Sequence, residues 1–156
     1  MKLSMYLLLL FLVAGPAFGQ DSQKAVHNHD HRHPFEIEFG AGAAWSLSEK
    51  EIAPVFHLHV HKDLWHHIGL GFGYEVILDE HLHQAIHPSI HIHFLEKIHF
   101  SIGPGLLIIR DEPVAFSTHF ELGLGFPVGR IKLGPFAEYA WSRNDQHISA
   151  GLRIGF

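Results

Sequence analysis

The chain of 156 residues contains no cysteine. This absence excludes disulfide bonds, thiolate metal sites, a thiol nucleophile and a lipid-anchored N-terminal cysteine. Basic residues are also few, since 11 lysines and arginines stand singly against 16 acidic residues. Nucleic-acid binding depends on clustered basic residues, so that class of partner is excluded. A disordered chain is excluded as well, because 47% of the residues are hydrophobic and 13 are phenylalanine.

Residues 1–19 have the pattern of a secretory signal peptide. A charged start precedes an apolar run from Leu3 to Ala14, which is shorter than the roughly 20 residues of a membrane-spanning helix. Ala17 and Gly19 supply the small residues that a signal peptidase requires. We therefore predict export and cleavage after Gly19. Both methionines lie in this segment, so the mature chain would contain none.

Residues 20–34 form a polar segment, which we predict to be a flexible periplasmic tail. Histidines alternate with other residues there, at His27, His29, His31 and His33. Alternating imidazoles on a flexible chain can converge on one ion, and imidazole suits Zn²⁺, Cu²⁺ and Ni²⁺. The tail is therefore a candidate for metal capture.

From Phe35 onward, apolar residues alternate with glycine, histidine and other polar residues. This period of two is typical of strands with two unlike faces. The last ten residues show it most clearly, with Ile148, Ala150, Leu152, Ile154 and Phe156 on one face. The pattern predicts eight strands of about the length that a tilted membrane strand needs. They cover residues 35–45, 52–62, 66–78, 84–95, 97–109, 114–126, 131–142 and 146–156.

Eight alternating strands suit either a soluble barrel with an apolar interior or a membrane barrel with an apolar exterior. One face of the predicted strands is almost uninterruptedly apolar, and its aromatic residues gather near the strand ends, as in interfacial girdles. The opposite face is rich in glycine, which suits the narrow interior of an eight-stranded barrel. These features favour the membrane barrel.

The signal peptide, the eight amphipathic strands and the final strand ending in Phe156 resemble the small outer-membrane β-barrels of Gram-negative bacteria, the OmpA-like and OmpX-like group. The resemblance covers residues 35–156. It implies an all-β, eight-stranded, antiparallel up-and-down transmembrane β-barrel in the outer membrane. The expected partners are outer-membrane lipid and, during biogenesis, the barrel-assembly machinery. The connections between strands are short for this group, which weakens adhesion or receptor roles built on long loops.

Strand parity places most of the 17 histidines on the inner face. One predicted wall carries His57, His59, His61, His67, His91, His93 and His99, and the same parity turns His87, His119 and His147 inward. The facing wall carries Glu36, Glu38, Glu121, Glu138, Lys132 and Arg153.

Outside the barrel wall, His81 and His83 form a predicted outer-loop pair beside Asp79 and Glu80. The tail, the wall and this pair are all rich in the same ligand type, which indicates a metal-handling barrel. Zn²⁺ is the leading ion, with Ni²⁺ or Cu²⁺ as alternatives, and the lack of sulfur ligands argues against Cu⁺. The candidate ligands are His27, His29, His31, His33, His57, His59, His61, His81, His83, His91, His93 and His99.

Two other interpretations remain open from the sequence. The first is a structural or pH-responsive barrel without a metal, in which histidine pairs with charged residues to fill a polar core. The second is an enzyme, because His147-x-Ser149 and His99-x-Ser101 resemble the His-x-Ser pair of outer-membrane lipid A deacylases. In that family the pair faces lipid, whereas both pairs here point inward by parity. We therefore do not expect an enzyme or a cofactor other than the metal.

Overall fold

The computed structural model describes residues 35–65, 67–95, 97–143 and 145–156. The predicted signal peptide and histidine-rich tail lie outside these residues. The described part of the chain forms nine strands. They are β1 (Glu36–Ser46), β2 (Ile52–Trp65), β3 (Ile68–Ile77), β4 (His83–Leu95), β5 (Ile98–Ile108), β6 (Ala115–Leu124), β7 (Phe126–Val128), β8 (Ile131–Ser142) and β9 (Gln146–Gly155).

The strands close into an eight-stranded antiparallel barrel. Strands β1 to β6 pair in chain order, β8 pairs with both β6 and β9, and β9 pairs with β1. Strand β7 continues β6, because Gly123 pairs with Phe136 before the interruption and Phe126 pairs with Leu133 after it, in the same register. The predicted fold class is therefore confirmed.

Several strand boundaries differ from the sequence prediction, and two of the differences change how neighbouring strands connect or approach each other. Strand β2 runs on to Trp65 and leaves a tighter connection to β3. The predicted strand 114–126 is interrupted at Gly125, where the chain comes very close to β8. A Cβ at Gly134 would lie 1.7 Å from the carbonyl oxygen of Leu124, so only glycine fits at that position.

The two ends of the barrel differ in their connections. We call one the turn end, where residues 66–67, 96–97 and 129–130 join the strands and β1 begins. The other is the loop end, where residues 47–51, 78–82, 109–114 and 143–145 join them.

The barrel is apolar outside and polar inside. Large hydrophobic side chains are exposed around the wall, whereas the buried residues include nine histidines, five glutamates and Arg153. Exposed aromatic residues stand near both ends, as the girdles predicted from sequence do. Phe35, Phe94, Phe126 and Phe156 lie at the turn end, and Trp45, Phe56, Phe116 and Trp141 at the loop end. This arrangement is that of a transmembrane barrel, since a soluble barrel hides its apolar face.

No helix in the described ranges is both long enough and apolar enough to cross a membrane.

Candidate metal centre

The interior histidines fit because glycines lie opposite them on neighbouring strands. Gly73 on β3 pairs with His59 on β2 and with His87 on β4. A Cβ at Gly73 would lie 2.3 Å from Nε2 of His87, and a Cβ at Gly71 would lie 2.5 Å from Nε2 of His91. These distances are too short for any other residue unless the rings move. Glycine on one strand therefore makes room for imidazole on the next, as the narrow interior requires.

Two histidines and two glutamates meet in the interior, and we call them the central cluster. His57 and His59 come from β2, Glu121 from β6 and Glu138 from β8. Each offers one ligand atom, and the four atoms lie within 4.8 Å of one another. Nδ1 of His57 is 3.3 Å from Oε2 of Glu138, and Nε2 of His59 is 3.7 Å from Oε2 of Glu121. All four residues are buried.

The imidazoles of the central cluster make no hydrogen bond with any described residue, although Nε2 of His57 also lies 3.3 Å from Oε2 of Glu75. The 3.3 Å and 3.7 Å separations from carboxylate oxygens exceed the usual N–H···O distance of about 2.7–3.2 Å. They are close to the roughly 3.3 Å between ligand atoms of tetrahedral Zn²⁺, whose bonds are about 2.0–2.1 Å long. An unsatisfied buried polar group costs about 1–3 kcal/mol. The spacing therefore suits a small cation held between the four side chains.

Each carboxylate of the central cluster is also held by a second partner. Oε1 of Glu138 lies 2.5 Å from Nδ1 of His119, while its Oε2 makes no hydrogen bond to a described residue. Oε1 of Glu121 lies 2.7 Å from Nη2 of Arg153, which also donates through Nη1 to Oε2 of Glu38 at 2.7 Å. Such partners fix the orientation of metal-ligating carboxylates in proteins.

A second group lies at the turn end, and we call it the turn-end cluster. It contains His61 and Asp63 from β2 and His93 from β4, with one ligand atom from each within 4.8 Å of the others. Nε2 of His93 is 3.0 Å from Oδ1 of Asp63. The side chain of His61 is 4% exposed, that of His93 22% and that of Asp63 41%. Unlike the central cluster, this group is open to solvent on one side.

At the loop end, His147 connects Asp145 to the interior. Nδ1 of His147 is 3.1 Å from Oδ2 of Asp145, and Nε2 is 3.0 Å from Oε1 of Glu75. Burial by itself raises the pKa of Asp145, but hydrogen bonds from His147 and Ser48 lower it below its usual value. A third group, made of Glu75, His119 and Glu138, shares Glu138 with the central cluster.

Most of the predicted barrel ligands lie where parity places them. His57, His59, His61, His91 and His99 are buried, and His93 is half-buried at the turn end. The structure brings His57 and His59 together in one cluster and His61 and His93 in the other. His91 and His99 are interior residues outside the ligand groups found in the described ranges. The predicted tail ligands His27, His29, His31 and His33 lie outside the described residues.

Two placements predicted from the sequence are wrong. Only His81 of the expected loop pair is in a loop, with its side chain 54% exposed. His83 begins β4 and is buried against Asp79, because this strand starts one residue earlier than predicted and its inward parity includes His83. His67 is exposed in the connection at the turn end instead of lining the interior, since β3 begins after it.

Asp63, Glu75 and His119 are not among the ligands predicted from the sequence. Glu121 and Glu138 were predicted on the inner His/Glu wall that holds the ion or passes it on, but they were not named among the candidate ligands. Asp63 continues the alternation of His57, His59 and His61, so parity could have found it. The contact of β2 with β6 and β8 crosses the interior, and no local pattern indicates such a contact.

The two His-x-Ser pairs face the interior. His147 and Ser149 are 2% and 0% exposed, and His99 and Ser101 are 7% and 3% exposed. Two acidic residues, Asp145 and Glu75, hold the ring of His147 in its orientation. Neither serine, however, reaches the lipid-facing surface where the resembling deacylases act.

Three solved structures share the fold. The N-terminal β-barrel domain of OprF from Pseudomonas aeruginosa has 15% identity and a TM-score of 0.56, covering 78% of this chain and 96% of that one. Neisserial surface protein A has 7% identity and a TM-score of 0.58, covering 78% of this chain and 94% of that one. The Yersinia pestis outer membrane protein Ail has 13% identity and a TM-score of 0.53, covering 78% of this chain and 97% of that one.

No family model matches the sequence, and a search of curated proteins gives no match either. The sequence identities to these solved structures are far too low for a function to be transferred. The similarity therefore concerns the fold alone. This chain therefore has the fold of the small eight-stranded outer-membrane β-barrels.

Proposed function

We propose that this is an outer-membrane barrel that binds a divalent transition-metal ion, such as zinc, in its interior. The observation that carries the proposal is the central cluster, in which two imidazoles without hydrogen bonds meet two carboxylates. The lipid-facing exterior and the fold support the location. The function that follows is metal binding, and catalysis has no part in it.

The donor set selects the class of ion. Two imidazoles and two carboxylates suit Zn²⁺, with Ni²⁺ and Cu²⁺ as alternatives, whereas Cu⁺ prefers sulfur ligands. Glu121 and Glu138 together carry the charge that balances a divalent cation. Their second partners, Arg153 and His119, hold the carboxylates in place for it. Four protein ligands leave no open position, which is typical of a storage or structural site.

The histidine-rich tail complements this site. His27, His29, His31 and His33 would capture ions on the periplasmic side, and the tail joins the barrel at the turn end, where β1 begins at Glu36. Capture by the tail is a proposal drawn from the sequence alone.

A structural or pH-responsive barrel without a metal is the second candidate. It is favoured by the direct pairs of the interior, such as Arg153 with Glu38 at 2.7 Å and Lys132 with Glu36 at 2.5 Å. In this alternative, histidine and glutamate fill the barrel as a paired polar core. In it, His57 and His59 lie 3.3–3.7 Å from carboxylate oxygens as ion pairs, but their ring nitrogens make no hydrogen bond to a described residue.

Metal content and affinity of the refolded protein, purified without a metal-binding tag, distinguish the two candidates. We would compare the wild type with a variant that carries alanine at His27, His29, His31 and His33, using Zn²⁺ against a competing chelator. We expect the tail variant to retain an interior ion. In that background, Glu138→Gln should weaken binding at least about tenfold, because it removes a ligand charge.

Glu38→Gln is the matched control. Glu38 is also buried in the interior, but it pairs with Arg153 and belongs to no ligand group in the described ranges. This variant should keep the ion with a much smaller loss of affinity than Glu138→Gln, because Glu38 reaches Glu121 only through Arg153. Absence of bound zinc from both wild type and tail variant at micromolar concentrations would refute the proposal and leave the polar-core alternative.

A further inference from the structure

We propose that the turn-end cluster of His61, Asp63 and His93 is a second metal site, one that exchanges its ion with solvent and loads the central cluster. This inference rests on the proposed function for the destination of the ion. The binding site itself is argued from its own residues. Its ligand would be a divalent transition-metal ion that keeps some of its water.

The donor set is that of an open site. Two imidazoles and one carboxylate can occupy one face of an octahedral ion and leave the other positions to water. The partial exposure of Asp63 and His93 provides room for this water, whereas His61 anchors the ion from inside. Sites that retain water ligands exchange more readily than sites closed by four protein ligands.

The local backbone supports the proposal that this cluster is a metal site. The register between β2 and β3 is irregular at Asp63/Trp65, and that between β4 and β5 is irregular at His93/Leu95. Bulges are common at barrel rims and beside functional sites, where they change the direction of a side chain. Two of the three ligands in this cluster thus stand at an interruption of the ladder.

His61, the buried ligand of the turn-end cluster, is also placed to bind an ion. Nε2 of His61 lies 3.6 Å from Oε2 of Glu36, but neither ring nitrogen makes a hydrogen bond within the described chain, and the side chain is only 4% exposed. The ring is stacked on His91 with centroids 4.5 Å apart, which fixes its orientation. Gly69 makes room for the carboxylate, since a Cβ there would lie 3.0 Å from Oδ1 of Asp63.

A row of imidazoles connects the two clusters. The ring centroid of His91 is 4.5 Å from that of His61 and 6.4 Å from that of His59, and His59 is 5.9 Å from His57. His61 and His59 belong to different clusters, but both rings have His91 as a neighbour. Nε2 of His91 is 2.9 Å from Oγ of Ser89, but its Nδ1 makes no hydrogen bond to a described residue, so this nitrogen would be available to an ion between the two clusters.

Cobalt titration of the full chain tests the inference, in the background with alanine at the four tail histidines. Stoichiometry comes from calorimetry and elemental analysis, and release is timed after addition of EDTA. We expect two ions for each barrel, one of which is released at least about tenfold faster than the other. The variant Asp63→Asn/His93→Ala should lose the fast ion and load the central cluster more slowly.

His81→Ala serves as the control, because it removes an imidazole that is 54% exposed at the loop end, away from both ligand clusters. It should keep both ions. Circular dichroism and the shift of the folded form on gels verify that each variant folds, and Asp63→Asn alone replaces the double variant should that one fail to fold.

The outcomes separate this inference from the proposed function. The protein could bind a single ion that is kept by Asp63→Asn/His93→Ala and lost from Glu138→Gln. This result overturns the turn-end site and leaves the central one. A single ion with the opposite response supports the turn-end site and overturns the central one. Two ions with equal release rates, or unchanged loading in the variant, overturn the loading role. No ion at all overturns both.

Discussion

At the scale of single residues, the interior depends on pairing large polar side chains with glycine. His59 and His87 both face Gly73, while the strands β1 and β9 approach each other at Gly42 and Gly151. The first arrangement makes room for rings, and the second brings two backbones together. Glycines of the second kind tolerate substitution least, because a ring can rotate away but a hydrogen-bonded strand cannot.

Gly42→Ala should destabilise the barrel strongly. A Cβ at Gly42 would lie 2.1 Å from the carbonyl oxygen of Ala150 and 2.7 Å from Cα of Gly151, both in the backbone of β9. Relief of this overlap requires displacing the β1–β9 pairing that closes the barrel, so we expect a loss of about 1–3 kcal/mol or more. Urea unfolding in lipid vesicles measures the loss.

Gly125→Ala is the control for this prediction. The nearest atom to its added Cβ is a side-chain carbon of Lys132 at 3.8 Å, so the unfolding free energy should change by less than about 0.5 kcal/mol. Equal stabilities of the two variants would contradict the close approach of β1 and β9.

At the scale of elements, each strand separates lipid from the polar interior by its alternation. The burial pattern of β9 shows it, with Ile148 and Leu152 exposed and His147, Ser149 and Arg153 buried. The alternation continues through β5 and β6 in the same way. Depth along a strand then sets how well a charge is tolerated on the outer face, because only the middle lies in hydrocarbon.

Leu152→Arg should therefore cost more than Val128→Arg. Leu152 is 69% exposed and pairs with Ala41, near the middle of β1, whereas Val128 is 52% exposed at the end of β7. Arginine on the lipid face costs about 2–4 kcal/mol at the bilayer midplane and about 0–1 kcal/mol near the interface. Fluorescence of the tryptophans during urea unfolding in vesicles measures both values. Equal costs would show that the exterior does not face lipid.

At the scale of the whole molecule, period-two alternation was sufficient to predict the barrel and the inward side of most histidines. Burial of His59 and His91 follows directly from parity, whereas His83 was misplaced by a one-residue error in the start of β4. The two ligand clusters could not be predicted from the sequence. Contact between His57 on β2 and Glu138 on β8 depends on strand tilt and stagger around the closed barrel, which no local pattern records.

Zinc should stabilise the folded barrel, and acid should remove that stabilisation. An ion that binds the folded state alone adds about 2.7 kcal/mol at a free concentration of 100 times Kd. Histidine ligands bind metal only when deprotonated, so the gain should be present at pH 7.5 and largely lost by about pH 5. Urea unfolding of the tail variant, with zinc or with EDTA at each pH, measures the difference. Glu138→Gln should reduce the gain at pH 7.5, and Glu38→Gln should reduce it much less. A zinc effect that persists unchanged at pH 5 would contradict imidazole ligation, because carboxylates alone would then hold the ion.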